Sequence, residues 1–266
     1  MTIKLIATDV DGTFLTDQHE YQIQRFNEQL QEMQRRNMHF VIASSNHYSH
    51  LQAVFATKSP ITTFIAENGA LIMDRGQVIA ESKLSAATIQ QLLRQLKDDP
   101  KLQPDSIRLS GQRASYMVKT ETIDEYVRYF FNNLQLVDDL SQVDDHIYKL
   151  NAVWKQAELK DKADYLNAKF SGVIHATASG FGSIDVIAAG VNKGVGLQQL
   201  EDHLQLTADN IAAFGDNYND LEMLRRAKYS YAMRNARAEV QREAAFITRL
   251  DNNHNGVLDT IDQILK

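Results

Sequence analysis

The chain has 266 residues, 44% of them apolar and 23% charged, which is the make-up of a globular protein with room for one large domain or two smaller ones. Lys and Arg number 28 against 34 Asp and Glu, and the formal charge of −6 argues against a nucleic-acid binder that relies on a bulk basic field. With no cysteine there is no disulfide, thiolate zinc site or Cys nucleophile, and no apolar run approaches the roughly 18 residues of a membrane helix. Asp9 and Asp11 interrupt the N-terminal apolar run, so a signal peptide is not expected and a cytoplasmic location is.

Residues 3–8 (IKLIAT) have the length and flanks of a buried strand and lead into Asp9-Val10-Asp11-Gly12. Ligands of open α/β sheets bind at the C-terminal strand edge. Two carboxylates one residue apart there, with a glycine to turn the chain, suit a divalent cation and a phosphate. A plain polar turn uses the same residue types. An EF-hand loop fits less well, because Gly12 stands at the fourth position rather than the sixth.

Residues 21–37 predict a helix, with Ile23, Phe26, Leu30 and Met33 at helical spacing. Residues 38–43 predict a second buried strand, which ends in Ser44-Ser45-Asn46 before a helix through Leu51 and Phe55. Free N–H groups and a hydroxyl at such a helix start favour an anion; a simple Ser or Asn cap reads the same way. Residues 64–66 predict a third strand running into Glu67-Asn68-Gly69-Ala70, and 71–80 a β-hairpin. This alternation predicts an α/β core with a doubly wound, mostly parallel Rossmann-like sheet.

The texture changes near Lys83. Helices over 85–97, 123–132 and 158–169 alternate with strands near 107–109, 116–118, 147–153, 173–176 and 184–187, and 138–145 is a polar stretch. Neighbouring strands with segregated helices predict an inserted α+β unit over 83–187, which leaves 1–82 and 188–266 as the two parts of the core. After it, Asn192-Lys193-Gly194 opens a helix, 210–214 predicts a strand, and Gly215-Asp216-Asn217-Tyr218-Asn219-Asp220 follows at its end. A further strand at 229–233, a helix at 236–245, a short strand at 246–248 and a last helix after Gly256 complete the chain.

Four polar clusters therefore fall at strand ends or helix starts of one sheet: Asp9/Asp11, Ser44, Lys193 and Asp216/Asn219/Asp220. In this order, from DVDGTFL through the strand-end Ser and GVNKG to GDNYND, they resemble the four motifs of the haloacid dehalogenase superfamily across the whole chain. The resemblance is closest to Cof-type phosphatases, which carry an α/β cap of the C2 type between the second and third motifs. ENGA at 67–70 is also similar to that subfamily.

The resemblance implies Asp9 as the nucleophile that forms an aspartyl-phosphate, and Asp11 as the acid and later base. It implies Mg²⁺ held by Asp9, the Asp11 carbonyl and Asp216. Ser44, Ser45, Lys193 and Asn219 would bind phosphate, Lys193 would also neutralise Asp9, and Asp220 would support Lys193. An acid two residues after the nucleophile separates phosphatases and phosphomutases from dehalogenases and phosphonatases. The expected ligand is a small phosphorylated metabolite, with sugar phosphates leading and no nucleic acid or membrane partner. The chain departs from the family at Ser45-Asn46, where Gly-Arg is common. A phosphomutase and a non-catalytic phosphate-ligand binder are the alternative readings.

Other stretches compete for attention. Residues 251–262 (DNNHNGVLDTID) match an EF-hand loop at several positions, but end in Asp rather than Glu and follow a strand. His47 and His50, one helical turn apart, read as a surface pair near the cleft mouth rather than metal ligands. Residues 190–196 are glycine-rich without the P-loop spacing, and Trp154 reads as packing in the inserted unit.

Overall fold

The computed structural model describes residues 3–154, 159–179 and 182–266. The first stretch of core comprises β1 (Leu5–Thr8), α1 (Ile23–Arg35), β2 (His39–Ala43), α2 (Tyr48–Phe55), β3 (Thr63–Ala66), β4 (Leu71–Asp74) and β5 (Gln77–Glu81). The inserted stretch comprises α3 (Ala86–Asp98), β6 (Ser106–Gly111), β7 (Ser115–Val118), α4 (Glu125–Phe130), β8 (Leu134–Val137), β9 (Ile147–Val153), α5 (Leu159–Lys169), β10 (Ile174–Ser179) and β11 (Ser183–Ala188). The chain then returns through α6 (Lys193–Leu204), β12 (Ile211–Gly215), α7 (Leu221–Arg226), β13 (Tyr229–Ala232), α8 (Ala238–Glu243), β14 (Phe246–Ile247) and α9 (Gly256–Ile264).

Among the described residues the core sheet has eight strands in the order β14-β13-β12-β1-β2-β3-β4-β5. It is parallel from β14 to β3, and the β3-β4-β5 meander is antiparallel. β1 is wholly buried between β12 and β2, so its end opens at the middle of the sheet. That is the α/β class expected from the strand–helix alternation. The loop after β1 is pinned by Phe14, whose ring packs 4.7 to 6.0 Å from those of Tyr21, Phe26, Phe40 and Phe55. Burial of such a ring stabilises by about 1.5–3 kcal/mol, and here it anchors the segment that carries both N-terminal carboxylates.

The second sheet has the order β10-β11-β9-β6-β7-β8 and is antiparallel except for the β7/β8 pair. One of its faces is apolar and packs on α3 and α5 through Leu92, Leu96, Leu109, Leu150, Leu166 and Ile184. β8 was not foreseen: Leu134 to Val137 is half exposed at a sheet edge, so its residues show no alternation that the sequence alone would reveal. The helix expected over 123–132 is shorter, Glu125–Phe130, because Asp124 caps Val127 N–H and starts it late. The expected start of α5 at residue 158 lies outside the described residues.

Candidate active site

The site is built at the C-terminal edge of β1, β2 and β12. Asp9 directly follows β1 and is buried, with its N–H donating to Phe214 O at 3.0 Å. Lys193, the first residue of α6, is fully buried, and its Nζ donates to Asp9 Oδ1 at 2.5 Å and to Asp220 Oδ1 at 2.7 Å. α6 is aimed by Asn192, whose Oδ1 accepts from Val195 N–H. Asp220 is held in turn by the N–H groups of Asp216 and Asn217 at 2.9 and 3.1 Å. Asp216 accepts from Thr13 Oγ1 at 2.7 Å. Three separate chain segments, 9–13, 192–195 and 214–220, thus converge around Asp9.

Charge is unbalanced here. Burial pushes the Asp9 carboxyl well above its ordinary range; Lys193 opposes this, while Asp220 and Asp216 add to it. Burial also pushes Asp216 up to about 7, reinforced by Asp220 and opposed by Thr13 and Lys193. Burial alone would lower the Lys193 ammonium, but Asp220 and Asp9 hold it above the usual lysine range. One buried cation is shared by three buried or half-buried carboxylates whose oxygens lie within 4.8 Å of one another.

Asp220 spends its oxygens on Lys193 and two backbone N–H groups, which leaves Asp9 and Asp216 as the carboxylates able to take a divalent cation. The Asp11–Gly12 backbone runs against Asp216: a Cβ on Gly12 would lie 2.7 Å from Asp216 Oδ2, and Gly12 has φ +79°. Only glycine permits both that approach and that torsion. The donor set is all oxygen and carries excess negative charge, so it fits a hard divalent cation.

The remaining expected residues fall nearby in different ways. Asp11 Oδ2 accepts from Asn46 Nδ2 at 2.7 Å, and its Oδ1 lies 3.7 Å from His19 Nδ1. Ser44 is buried beneath the wall, where its Oγ accepts from Asn46 N–H. Ser45 and Asn219 line the cavity; Asn219 Nδ2 donates to Asn68 Oδ1 at 3.0 Å. Asn46, in place of the common Arg, is therefore a partner of Asp11.

The second sheet closes the cavity from above. Ser110, Lys149, Asn151, Ser183 and Asp185 line it together with Tyr126, Phe130 and Phe131, around a volume of about 270 Å³. Lys149 is buried 3.0 Å from Glu67 Oε2 and 3.7 Å from Asp185 Oδ2, and it donates to Ser45 O. Burial alone would lower this lysine, but Asp185 and Glu67 raise it to about 12. Ser110 Oγ donates to Glu67 at 2.5 Å and Asn68 Nδ2 to Asp185 at 2.8 Å. Glu67 and Asn68 both adopt φ near +55°. Two consecutive non-glycine residues in that region are costly, and they persist because this network holds them.

Sequence reasoning did not name Lys149, Asp185, Asn151 or Arg108. The signal was present as polar residues at every second position of otherwise apolar strands, but that pattern ordinarily marks a solvated sheet face.

His47 and His50 correct the expectation of a surface pair. Both are buried, because the second sheet and α4 close over α2. His47 Nε2 meets Gly111 O at 2.8 Å, and His50 packs on Tyr129 and Phe130, with ring centroids 4.9 and 5.3 Å away. Burial pushes the His50 imidazole down to about 4.

Residues 251–262 do not wrap a common centre. Asp251 accepts from His254, Asp259 from Arg249 and Asp262 from Arg25 and Gln29, while Asn252 ties the loop to Leu15 O and Asp17. Trp154 packs inside the inserted unit with its Nε1 donating to Leu102 O. No helix among the described residues is long and apolar enough to cross a membrane.

Residues 6–261 match the family of haloacid dehalogenase-like hydrolases. The chain is 33% identical to the 5-amino-6-(5-phospho-D-ribitylamino)uracil phosphatase YbjI of Escherichia coli (strain K12), over all of this chain and 97% of that protein. It is 27% identical to the HMP-PP phosphatase of Yersinia pseudotuberculosis serotype O:1b (strain IP 31758), over 90% of this chain and 87% of that one. Among solved structures, SMU.1108c from Streptococcus mutans UA159 superposes with a TM-score of 0.92 at 38% identity, over 99% of both chains.

Proposed function

Starting from the fact that this chain belongs to the haloacid dehalogenase-like hydrolases and is a phosphatase of that family, we propose that it is a Mg²⁺-dependent phosphatase of small phosphate monoesters that works through an aspartyl-phosphate on Asp9. The observation that carries this is the buried Asp9–Lys193–Asp220 chain beside Asp216 at the centre of the sheet edge.

Phosphate monoesters resist attack because their oxygens repel anionic nucleophiles, so the site must neutralise charge and aim the nucleophile. Lys193 fixes one Asp9 oxygen, which leaves the other to attack phosphorus. As the Asp9 O–P bond forms, the P–O bond to the leaving group breaks, and Asp11 gives that oxygen its proton. Asp11 then takes a proton from water, which attacks the phosphorus of the aspartyl-phosphate and returns Asp9 and inorganic phosphate. Asn46 keeps the Asp11 carboxyl turned towards the cavity throughout. Asp9, the Asp11 carbonyl and Asp216 would hold Mg²⁺, which would supply positive charge to the phosphoryl oxygens. Ser45 and Asn219 line the place where those oxygens sit, and Ser44 shapes the turn below.

In this reading residues 83–187 are the cap. They exclude water and select the leaving group. Aromatic rings in the cavity wall favour leaving groups with a flat or apolar part over simple sugars. The phosphoribitylaminouracil ester for which the E. coli relative is named is the first substrate to try.

The test is phosphate release from a panel of sugar phosphates, nucleotides, that ester and an aryl phosphate, with and without Mg²⁺. Asp9→Asn should lower kcat by about 10³-fold or more while the protein stays folded. Absence of release from every ester by folded, Mg²⁺-loaded protein would overturn the proposal.

A further inference from the structure

Beside the cap wall of the cavity lies a buried cation without an ion pair among the described residues. On β6, β9 and β11 polar residues of one sheet face stand side by side in register: Arg108 opposite Asn151, Ser110 opposite Lys149, and Asn151 opposite Asp185. Ser110, Lys149, Asn151 and Asp185 line the cavity, and Arg108 lies behind Asn151. Lys149 is taken up by Glu67 and Asp185, Asn151 donates to Asp185, and Ser110 donates to Glu67.

Arg108 differs. It is 5% exposed, and among the described residues it makes no ion pair. Its Nη1 donates to Asn151 Oδ1 at a long 3.3 Å, and its buried Nε has no partner. The guanidinium carbon lies 5.2 Å from the centre of the Phe131 ring and 5.9 Å from that of Tyr126. Glu121 and Asp124 act on it only through space. The Ser115 hydroxyl is a second buried polar atom without a partner, on the same face and opposite Ser110. The three side chains around Arg108, namely Asn151, Tyr126 and Phe131, all line the cavity that holds Asp9 and Asp216.

A buried guanidinium with an unused N–H is costly unless an acceptor completes it. Its rigid fork suits two coplanar oxygens better than a scattered set of hydroxyls. Aromatic rings beside it offer a flat apolar surface.

We propose that Arg108 selects the leaving group by donating to planar oxygen acceptors, either a carboxylate or the carbonyls of a ring, at the end of the substrate remote from the phosphate, while Tyr126 and Phe131 hold the flat part against it. This rests on the phosphatase reading above. Neutral polyols lack such acceptors and gain nothing from Arg108.

The experiment compares kcat/KM on three esters: 3-phosphoglycerate for the carboxylate, the phosphoribitylaminouracil ester for the ring carbonyls, and glycerol 1-phosphate as the neutral polyol. Wild-type protein should prefer at least one of the first two over the third. Arg108→Gln should lose about a hundredfold on the preferred acceptor-bearing ester, chiefly in KM, and at least tenfold less on glycerol 1-phosphate. Arg108→Lys keeps the charge without the fork, so it should lose less than Arg108→Gln with the same order of substrates. If Arg108→Gln does not fold by circular dichroism, the Arg108→Lys comparison decides.

Equal losses on all three esters, no loss on either acceptor-bearing ester, or a wild-type preference for glycerol 1-phosphate would each overturn the assignment of Arg108 alone. Absence of hydrolysis of every ester by wild-type protein would overturn the phosphatase reading and this assignment together.

Discussion

The cleft has two walls, each organised around a buried lysine gripped by two carboxylates. On the core wall Lys193 bridges Asp9 and Asp220; on the cap wall Lys149 bridges Glu67 and Asp185. The two differ in what their partners are for. Asp9 has an oxygen to spare beside Asp216, and both carboxyls are pushed up by burial, so the core wall is short of positive charge. Around Lys149 one cation again faces two carboxylates, but Glu67 and Asp185 are each also held by neutral donors, Ser110, Asn68 and Asn151, and among the described residues no third carboxylate stands beside them. A cluster with three carboxylates and oxygens to spare is suited to a metal and a phosphate, and one whose carboxylates are held by surrounding donors to holding two bodies together. Lys149 sits on the inserted sheet and Glu67 on the core turn, so that ion pair joins the two.

Removing each lysine should separate these roles. Lys193→Met should abolish turnover of every ester, with a loss in kcat of about 10³-fold or more, measured as phosphate release. Lys149→Met leaves two buried carboxylates without their cation and should cost about 3–5 kcal/mol in urea unfolding. Its loss in kcat/KM should depend on the leaving group. A uniform loss in both variants would remove the distinction between the walls.

Metal addition probes the charge shortage. Asp216 titrates near 7 in the folded protein against 3.8 for a free carboxyl, so the folded state binds the extra proton between those values. Stability from that proton is present at low pH and is lost as pH rises through about 7. Mg²⁺ competes with the proton, so it should raise Tm more at pH 8 than at pH 6. An equal rise at both values would argue that the cation binds elsewhere.

His50 probes the opposite sign. Its imidazole is held down to about 4 against 6.5 when free, so the unfolded or opened state takes the proton first. The stability it contributes is complete above about pH 6.5 and falls as pH drops towards 4, by at most about 3 kcal/mol. Because His50 packs on Tyr129 and Phe130 of α4, hydrogen-exchange protection factors in α4 (rates corrected for the intrinsic pH dependence) should fall over that window, and His50→Phe should flatten the response.

The smallest effect belongs to Asp262, which bonds Arg25 and Gln29 and no residue that lines the cavity. Asp262→Ala removes the bonds from Arg25 and Gln29 at a half-exposed site, and should change stability by no more than about 1 kcal/mol, with activity retained. Calcium titration should show the same heat for this variant and the parent protein.

The two walls were also unequally legible in the sequence. Asp9 and Asp11, Lys193, and Asp216 to Asp220 each lie in a short polar run after an apolar strand or at a helix start, so local pattern located them and the alternation of strands and helices placed them on one edge. The sequence alone therefore determined the core class and the residues gathered around Asp9. Their state of charge needed coordinates, because it depends on how deeply each is buried and on which neighbours face it.

The cap wall is assembled from single residues on β6, β9 and β11 and on a turn of the core, far apart in the chain. A strand with Lys149 and Asn151 at alternate positions is indistinguishable in sequence from one with a wet face. The face is dry because the inserted sheet lies over the core edge, which also buries His47 and His50. Burial and partnership are properties of packing between distant segments, and only the tertiary structure decided which polar residues are solvated and which, like Arg108, are buried with a nitrogen left unpartnered.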